Sequence, residues 1–189
     1  MHASLQEAGI ATEGEGDGAK VYQDCEELGP DVLTKDVVAV VCGLDTQFNY
    51  YKICKAANLI RYRNCEFVAT NQDAVAPLLG SGGLVPSGGS MVGAVEVASG
   101  VKPICVGKPS ADLAALVVKL YGLDPARTCM VGDRLDTDIQ FGHNGGMKTL
   151  LVMSGVTQEE QAEELVAGTA PEGTAVPTFI AASVATLLE

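Results

Sequence analysis

The chain has 189 residues, 47% of them hydrophobic and 19% charged, enough apolar material for one globular domain or two small ones and too much for a disordered chain. Twelve Lys and Arg stand against 24 Asp and Glu, and the formal net charge of -12 disfavours non-specific binding to nucleic acid or anionic membranes. No apolar run approaches the roughly 18 residues that a membrane span needs, no signal-peptide pattern is visible, and the absence of any Cys-x-x-Cys pair argues against zinc.

Residues 11–19 are small and acidic and read as a loop. The β-branched apolar run 37–44 predicts a buried parallel strand, 49–60 a helix and 66–70 a short strand. The glycine- and serine-rich stretch 78–90, which contains Pro86, predicts a loop or hairpin, and 89–97 a helix. A composition shift near 98–103 marks the expected boundary between a first domain, 1–102, and a second, 103–189. Residues 101–107 predict a second apolar strand. Ser110 suits a helix N-cap, Leu113, Leu116, Val117 and Leu120 recur at helical spacing, and Gly122 suits the stop. A third strand is expected at 128–132, a helix at 135–143, a fourth strand at 149–153, an acidic surface helix at 159–166, and a closing strand and helix at 179–188. Strands alternating with helices at this spacing predict an α/β fold with a parallel sheet. Cys42, Cys105 and Cys129 lie inside apolar runs and read as small core residues in reducing surroundings rather than as disulfide partners.

Two stretches carry chemistry. In Met130-Val131-Gly132-Asp133-Arg134-Leu135-Asp136-Thr137-Asp138 an apolar strand runs into glycine and then aspartate. Ligands of parallel α/β sheets gather at the carboxyl ends of strands, so Asp133 is expected in a site crevice. Its hard oxygens suit magnesium, and Asp138, five residues on, is placed to support the metal shell or a neighbouring group. Asp136 reads instead as a cap at the positive end of the following helix. In Val106-Gly107-Lys108-Pro109-Ser110 a second strand ends in a lysine, which either neutralises a phosphate there or is an ordinary surface lysine. The spacing of Gly100 and Gly107, with Lys108 before a proline, excludes a P-loop.

The segment Gly107-Lys108-Pro109-Ser110, followed by Val131-Gly132-Asp133-Arg134-Leu135-Asp136-Thr137-Asp138-Ile139, resembles the haloacid dehalogenase (HAD) superfamily. The branch it resembles contains phosphoglycolate, pyridoxal and p-nitrophenyl phosphatases. Further segments resemble that branch: Gly43-Leu44-Asp45, Asn49-Tyr50-Tyr51-Lys52, Ala69-Thr70-Asn71-Gln72-Asp73, Gly89-Ser90, Gly145-Gly146-Met147-Lys148-Thr149 and Ser154-Gly155-Val156-Thr157. The resemblance implies a Rossmann-like HAD core, of which the chain holds the C-terminal half, with a C2-type α/β cap over the site formed by the first domain. It implies that Lys108 stabilises a phosphorylated aspartate, that Asp133 and Asp138 hold or support Mg²⁺, and that Asn71 and Asp73 meet the substrate. It implies a small phosphorylated metabolite as substrate, 2-phosphoglycolate first, with no nucleic-acid or membrane partner. A homodimer through the cap is a further expectation, in the cytoplasm or in a chloroplast. The family's Asp-x-Asp-Gly nucleophile motif and its phosphate-binding Ser or Thr motif do not occur in the chain. The expectation is therefore a truncated form that is inactive alone, and the competing reading is a non-catalytic binding or regulatory module.

Overall fold

The computed structural model describes residues 1–28, 36–78 and 82–188. The chain folds as two compact units, Met1–Cys105 and Val106–Glu189. The first opens with a short helix, α1 (His2–Glu7), and two 3-10 turns, Asp17–Ala19 and Tyr22–Glu27. Strands β1 (Ala39–Cys42), β2 (Glu66–Ala69) and β5 (Ile104–Cys105) form a parallel sheet in the order β1-β2-β5, with Val40 opposite Phe67 and Cys42 opposite Ala69. Between β1 and β2 lies α2 (Tyr50–Arg63). Its start is set by Asn49, whose side chain accepts from the Lys52 N–H, and its end by Asn64 in the left-handed region at φ 56°. Strands β3 (Val75–Leu78) and β4 (Gly83–Pro86) make an antiparallel hairpin. The hairpin expected within 78–90 thus begins three residues earlier, and its residues 79–81 lie outside the described ones. Helix α3 (Gly88–Ser99) follows and covers the sheet. Cys42, Ile60, Phe67, Ala69, Val92 and Val95 form the core, drawn from β1, α2, β2 and α3. Each fully buried aliphatic or aromatic side chain contributes roughly 1.5–3 kcal/mol.

The strand expected over 101–107 shortens to Ile104–Cys105. Gly100 turns the chain at φ 73°, and Pro103 has no N–H to give to a ladder, so only Ile104 and Cys105 pair with β2.

In the second unit β6 (Cys129–Gly132), β7 (Lys148–Val152) and β8 (Phe179–Ala181) form a parallel sheet in that order. Helix α4 (Ala111–Tyr121) is capped by Ser110, which accepts from the Leu113 N–H, and stopped by Gly122 at φ 59°. The helix expected over 135–143 is in two parts: a π-helical turn over Leu135–Ile139, then α5 (Gln140–Asn144). Helix α6 (Glu159–Ala167) is the acidic surface helix, and a 3-10 turn over Val184–Leu188 replaces the expected last helix. Ile139, Leu151, Leu165 and Ala175 form this unit's core. Of the three cysteines expected inside, Cys42 is buried, Cys105 half-buried and Cys129 exposed. Cys129 begins β6, an outer strand of its sheet, and its place in an apolar run does not cover it. All six cysteines are free thiols. No helix among the described residues is long and apolar enough to cross a membrane.

Candidate active site

Three of the residues singled out by sequence meet in the second unit. Strand β6 ends at Gly132, and Asp133 follows it at the carboxyl end of the sheet. Lys108 lies in the turn before α4, thirty positions from Asp138 in sequence, and its Nζ donates to Asp138 Oδ1 at 2.6 Å. The other carboxylate oxygen of Asp138 accepts from the backbone N–H groups of Asp133 and Arg134, both at 3.1 Å. Asp138 is 4% exposed, so its charge is sustained by these three donors and not by water. Lys108 is 47% exposed at the side chain: its ammonium is held on one side and open on the other.

Asp133 is fixed from a different loop. Its Oδ2 accepts from the Val156 N–H at 2.7 Å, and its carbonyl accepts from the Thr157 N–H at 3.1 Å and the Thr157 hydroxyl at 2.6 Å. Val156 and Thr157 follow β7, so the carboxyl ends of two neighbouring strands position one carboxylate. Glycines make room for this. A Cβ on Gly155 would overlap Asp133 Oδ2 and Cβ, and one on Gly132 would overlap the Asp138 side chain. The segment Ser154-Gly155-Val156-Thr157 carries no role in the sequence reading. The strand-end rule that drew attention to Asp133 applies equally to the loop after β7 and is the signal that finds it.

Asp136 is not the N-cap, which is Arg134, but it lies in the first turn, at the positive end expected for it. Its carboxylate takes the guanidinium fork of Arg134, Nε to Oδ1 at 3.0 Å and Nη2 to Oδ2 at 2.7 Å. That hydrogen bond first, and the Arg134 charge with it, outweigh burial and hold the Asp136 carboxyl below its ordinary value. At 68% side-chain exposure the pair is screened by water and worth little to stability. Asn144 Nδ2 donates to the Pro109 carbonyl at 2.6 Å, tying α5 to the loop that carries Lys108.

Mg²⁺ fits this donor set in a limited way. Among the described residues no three metal-binding side chains cluster. Both oxygens of Asp138 are engaged by Lys108 and the loop, whereas Asp133 Oδ1 has no hydrogen bond among the described residues. One hard carboxylate oxygen suits an ion that usually takes one or two carboxylates, with water and phosphate oxygens as its other ligands.

Asn71 and Asp73 lie in the first unit, just past the end of β2. Asn71 Nδ2 donates to Asp73 Oδ2 at 3.0 Å, and the Gly89 N–H donates to the Asp73 carbonyl at 2.9 Å. Here too glycines admit the contacts: a Cβ on Gly88 would overlap Asn71 Oδ1, and one on Gly89 the backbone of Gln72. At the same end of that sheet Lys52 Nζ donates to Asp45 Oδ2 at 2.6 Å. Burial pushes the Asp45 carboxyl up, but the Lys52 hydrogen bond, the Gln47 N–H and the Lys52 charge outweigh it, and the carboxyl stays below its ordinary value.

Residues 105–187 match the HAD-hydrolase-like family. The chain is 44% identical over 166 residues to phosphoglycolate phosphatase 1A, chloroplastic, of Arabidopsis thaliana, an alignment covering 86% of this chain and 44% of that protein. A solved 4-nitrophenylphosphatase from Thermotoga maritima superposes with a TM-score of 0.73 at 27% identity, covering 98% of this chain and 59% of its own. A glycerol phosphate phosphatase from Mycobacterium tuberculosis, solved in complex with magnesium, gives a TM-score of 0.68 at 35% identity, over 79% of this chain and 42% of its own. The chain spans about half the length of the curated relatives it matches, from 42% to 61%.

Proposed function

We propose, from the premise that this chain belongs to the HAD-like hydrolases, that it forms part of a magnesium-dependent phosphomonoesterase acting on a small phosphorylated metabolite, with 2-phosphoglycolate the first candidate. The observation that carries the proposal is the Lys108–Asp138 link. A buried carboxylate fixes a half-exposed ammonium in the same unit as Asp133, which keeps one oxygen open. Lys108 then meets the negative charge that builds on the transferring phosphoryl group and on an aspartyl-phosphate. Held in place beforehand, it loses little freedom when the substrate arrives.

Asp133 would hold the metal through Oδ1, while the Val156 N–H keeps the carboxylate from turning and Thr157 holds the Asp133 backbone. Asp138 acts behind both groups as a positioning residue, since its oxygens already serve Lys108 and the β6 loop. When bound, magnesium supplies the positive charge that draws phosphate oxygens into the site. Local charge supports that need: Lys108 with Asp133 and Asp138 sums to -1, in a chain whose net charge is -12, and a phosphate dianion is repelled until a divalent cation reverses the sign. The attacking carboxylate belongs to an Asp-x-Asp-Gly segment that these 189 residues do not contain. The first unit serves as the cap, Asn71 and Asp73 meet the non-reacting part of the substrate, and two copies associate through the cap.

The test compares the chain alone with a form in which a segment carrying Asp-x-Asp-Gly precedes it, both with p-nitrophenyl phosphate and Mg²⁺. The chain alone is expected to give no turnover above background. In the extended form, Lys108→Ala and Asp133→Asn each lower kcat/KM by roughly a hundredfold or more. Strong turnover by the chain alone that Asp133→Ala abolishes refutes the missing-nucleophile reading, and wild-type turnover in Lys108→Ala refutes the role given to the lysine.

A further inference from the structure

The N-terminal stretch 13–27 is pinned along α2 at two places. At one, Asn49 Nδ2 donates to the carbonyls of Asp17, Gly18 and Lys20 at 2.8, 3.2 and 3.1 Å, and Lys55 Nζ reaches the Asp17 and Glu13 carboxylates at 3.0 and 3.4 Å. At the other, the rings of Tyr22 and Tyr50 meet with centroids 5.4 Å apart. Tyr22 and Cys25 are three residues apart on a 3-10 helix, where side chains at that spacing eclipse. Tyr50 and Cys54 are four apart on an α-helix, where that spacing shares a face. The contact that joins the two rings therefore brings the two thiols together one turn further on. They are neighbours, near enough for Cys54 to push the Cys25 thiol up, and both are free and partly exposed. Neither belongs to the phosphatase site.

We propose that Cys25 and Cys54 form a reversible disulfide site, closed by a small-molecule disulfide and opened by a dithiol reductant. With oxidised glutathione, the Cys54 thiolate attacks one glutathione sulfur, forming a mixed disulfide and releasing one glutathione thiolate. The Cys25 thiolate then attacks Cys54 Sγ, forms the Cys25–Cys54 bond and releases the second. Two electrons pass from the cysteine pair to the glutathione disulfide, and the two cysteine protons end on the two glutathione thiols. Attack by Cys25 first, with Cys54 completing the bond, gives the same disulfide and the same products. The contacts that hold residues 13–22 against α2 keep the second step intramolecular and fast. The remaining cysteines lack this arrangement: Cys42 and Cys65 are buried, Cys105 is half-buried in β5, and Cys129 lies exposed in the other unit. Closure would tie residues 13–27 covalently to α2 around the segment that holds β1 and Asp45.

The test holds the 189-residue chain in glutathione buffers from fully reduced to fully oxidised, blocks free thiols by alkylation, and maps peptides by mass. The expected product is a Cys25–Cys54 cross-linked peptide pair, two hydrogens lighter than its separate thiols, while Cys129 appears as a glutathione adduct. The cross-linked chain melts higher by about 5 °C, reversed by dithiothreitol and absent in Cys25→Ser and Cys54→Ser but kept in Cys129→Ser. Mapping the unaltered chain decides the matter even if a serine variant folds poorly. Recovery of Cys25 and Cys54 as alkylated thiols or as separate glutathione adducts across the whole series overturns the proposal.

Discussion

Replacing Asp138 probes whether one buried carboxylate organises the second unit's site. Asp138→Ala removes three charge-assisted hydrogen bonds, from Lys108 Nζ at 2.6 Å and from two backbone N–H groups at 3.1 Å. Hydrogen bonds to charged groups contribute roughly 1.5–3 kcal/mol each. The lysine's share is discounted to below about 1 kcal/mol, because at 47% side-chain exposure it regains water when released. The two N–H groups lose their acceptor at about 1 kcal/mol or more each, so the total is about 3 kcal/mol. In Asp138→Asn the single amide oxygen serves either the lysine or the N–H pair, and its NH₂ faces the other donor, at a cost of about 2 kcal/mol. Lys108→Met costs about 1 kcal/mol, since both N–H groups keep their carboxylate. Because the chain folds as two units, the readout is amide exchange of peptides spanning 129–144. A loss of about 3 kcal/mol appears there as roughly a hundredfold faster exchange. Equal effects of Asp138→Ala and Lys108→Met, or an effect of Asp138→Ala below about 0.5 kcal/mol, refute the ranking of the backbone donors above the lysine.

Burial, joined by the Asp45 carboxylate, pushes the Cys42 thiol from 9.0 to about 11, and a raised folded value means stability intact below pH 9 and lost as pH rises through about 11. The urea midpoint should fall across that window, and Cys42→Ala should remove the slope. Lys52→Met should let the Asp45 carboxyl rise toward its ordinary 3.8 in an NMR titration; since its folded value is lowered, the stability it supplies is present above 3.8 and disappears as pH falls below it. Gly155→Ala, whose Cβ would overlap Asp133, should cost the extended enzyme at least about tenfold in kcat/KM. Gly93→Ala, with nothing within 4 Å and a place inside α3, should instead stabilise the chain by about 0.5–1 kcal/mol in urea unfolding. In the extended enzyme Asn71→Ala and Asp73→Ala should change the ratio of kcat/KM for phosphoglycolate to that for a neutral aryl phosphate, and a constant ratio removes both residues from specificity.

The elements legible in the sequence are those whose cause is local. Asn49 before a helical run, Ser110 and Gly122 around α4, and the apolar runs that became β1, β6 and β7 each carry their reason within a few residues. The short turns of residues 17–27 do not. They are held by Asn49, Tyr50 and Lys55, which arrive about thirty residues later, and nothing periodic announces them. The shortening of β5 had a local signal in Pro103, which the apolar character of 101–107 outweighed. Cys129 shows the opposite error: an apolar run says that a strand forms, not that both its faces are covered.

The three aspartates of one loop show where local reasoning stops. Asp133 stands out because it ends a strand, but Asp136 and Asp138 are equally acidic, equally near a helix start and equally favoured by its dipole. The fold separates them by geometry. The N–H groups of Asp138 and Ile139 both go to the Arg134 carbonyl, so the turn opens as a π-helix. Asp138 is thereby turned inward against Gly132, while Asp136 faces outward to Arg134. A side chain on residue 132 would occupy the place of the Asp138 carboxylate, and without that carboxylate Lys108 has no fixed partner. The glycine before Asp133 is therefore the sequence's one local mark of Asp138. It is easily taken for ordinary punctuation at a strand end, because its reason lies in a side chain that returns to it from the next turn of the chain.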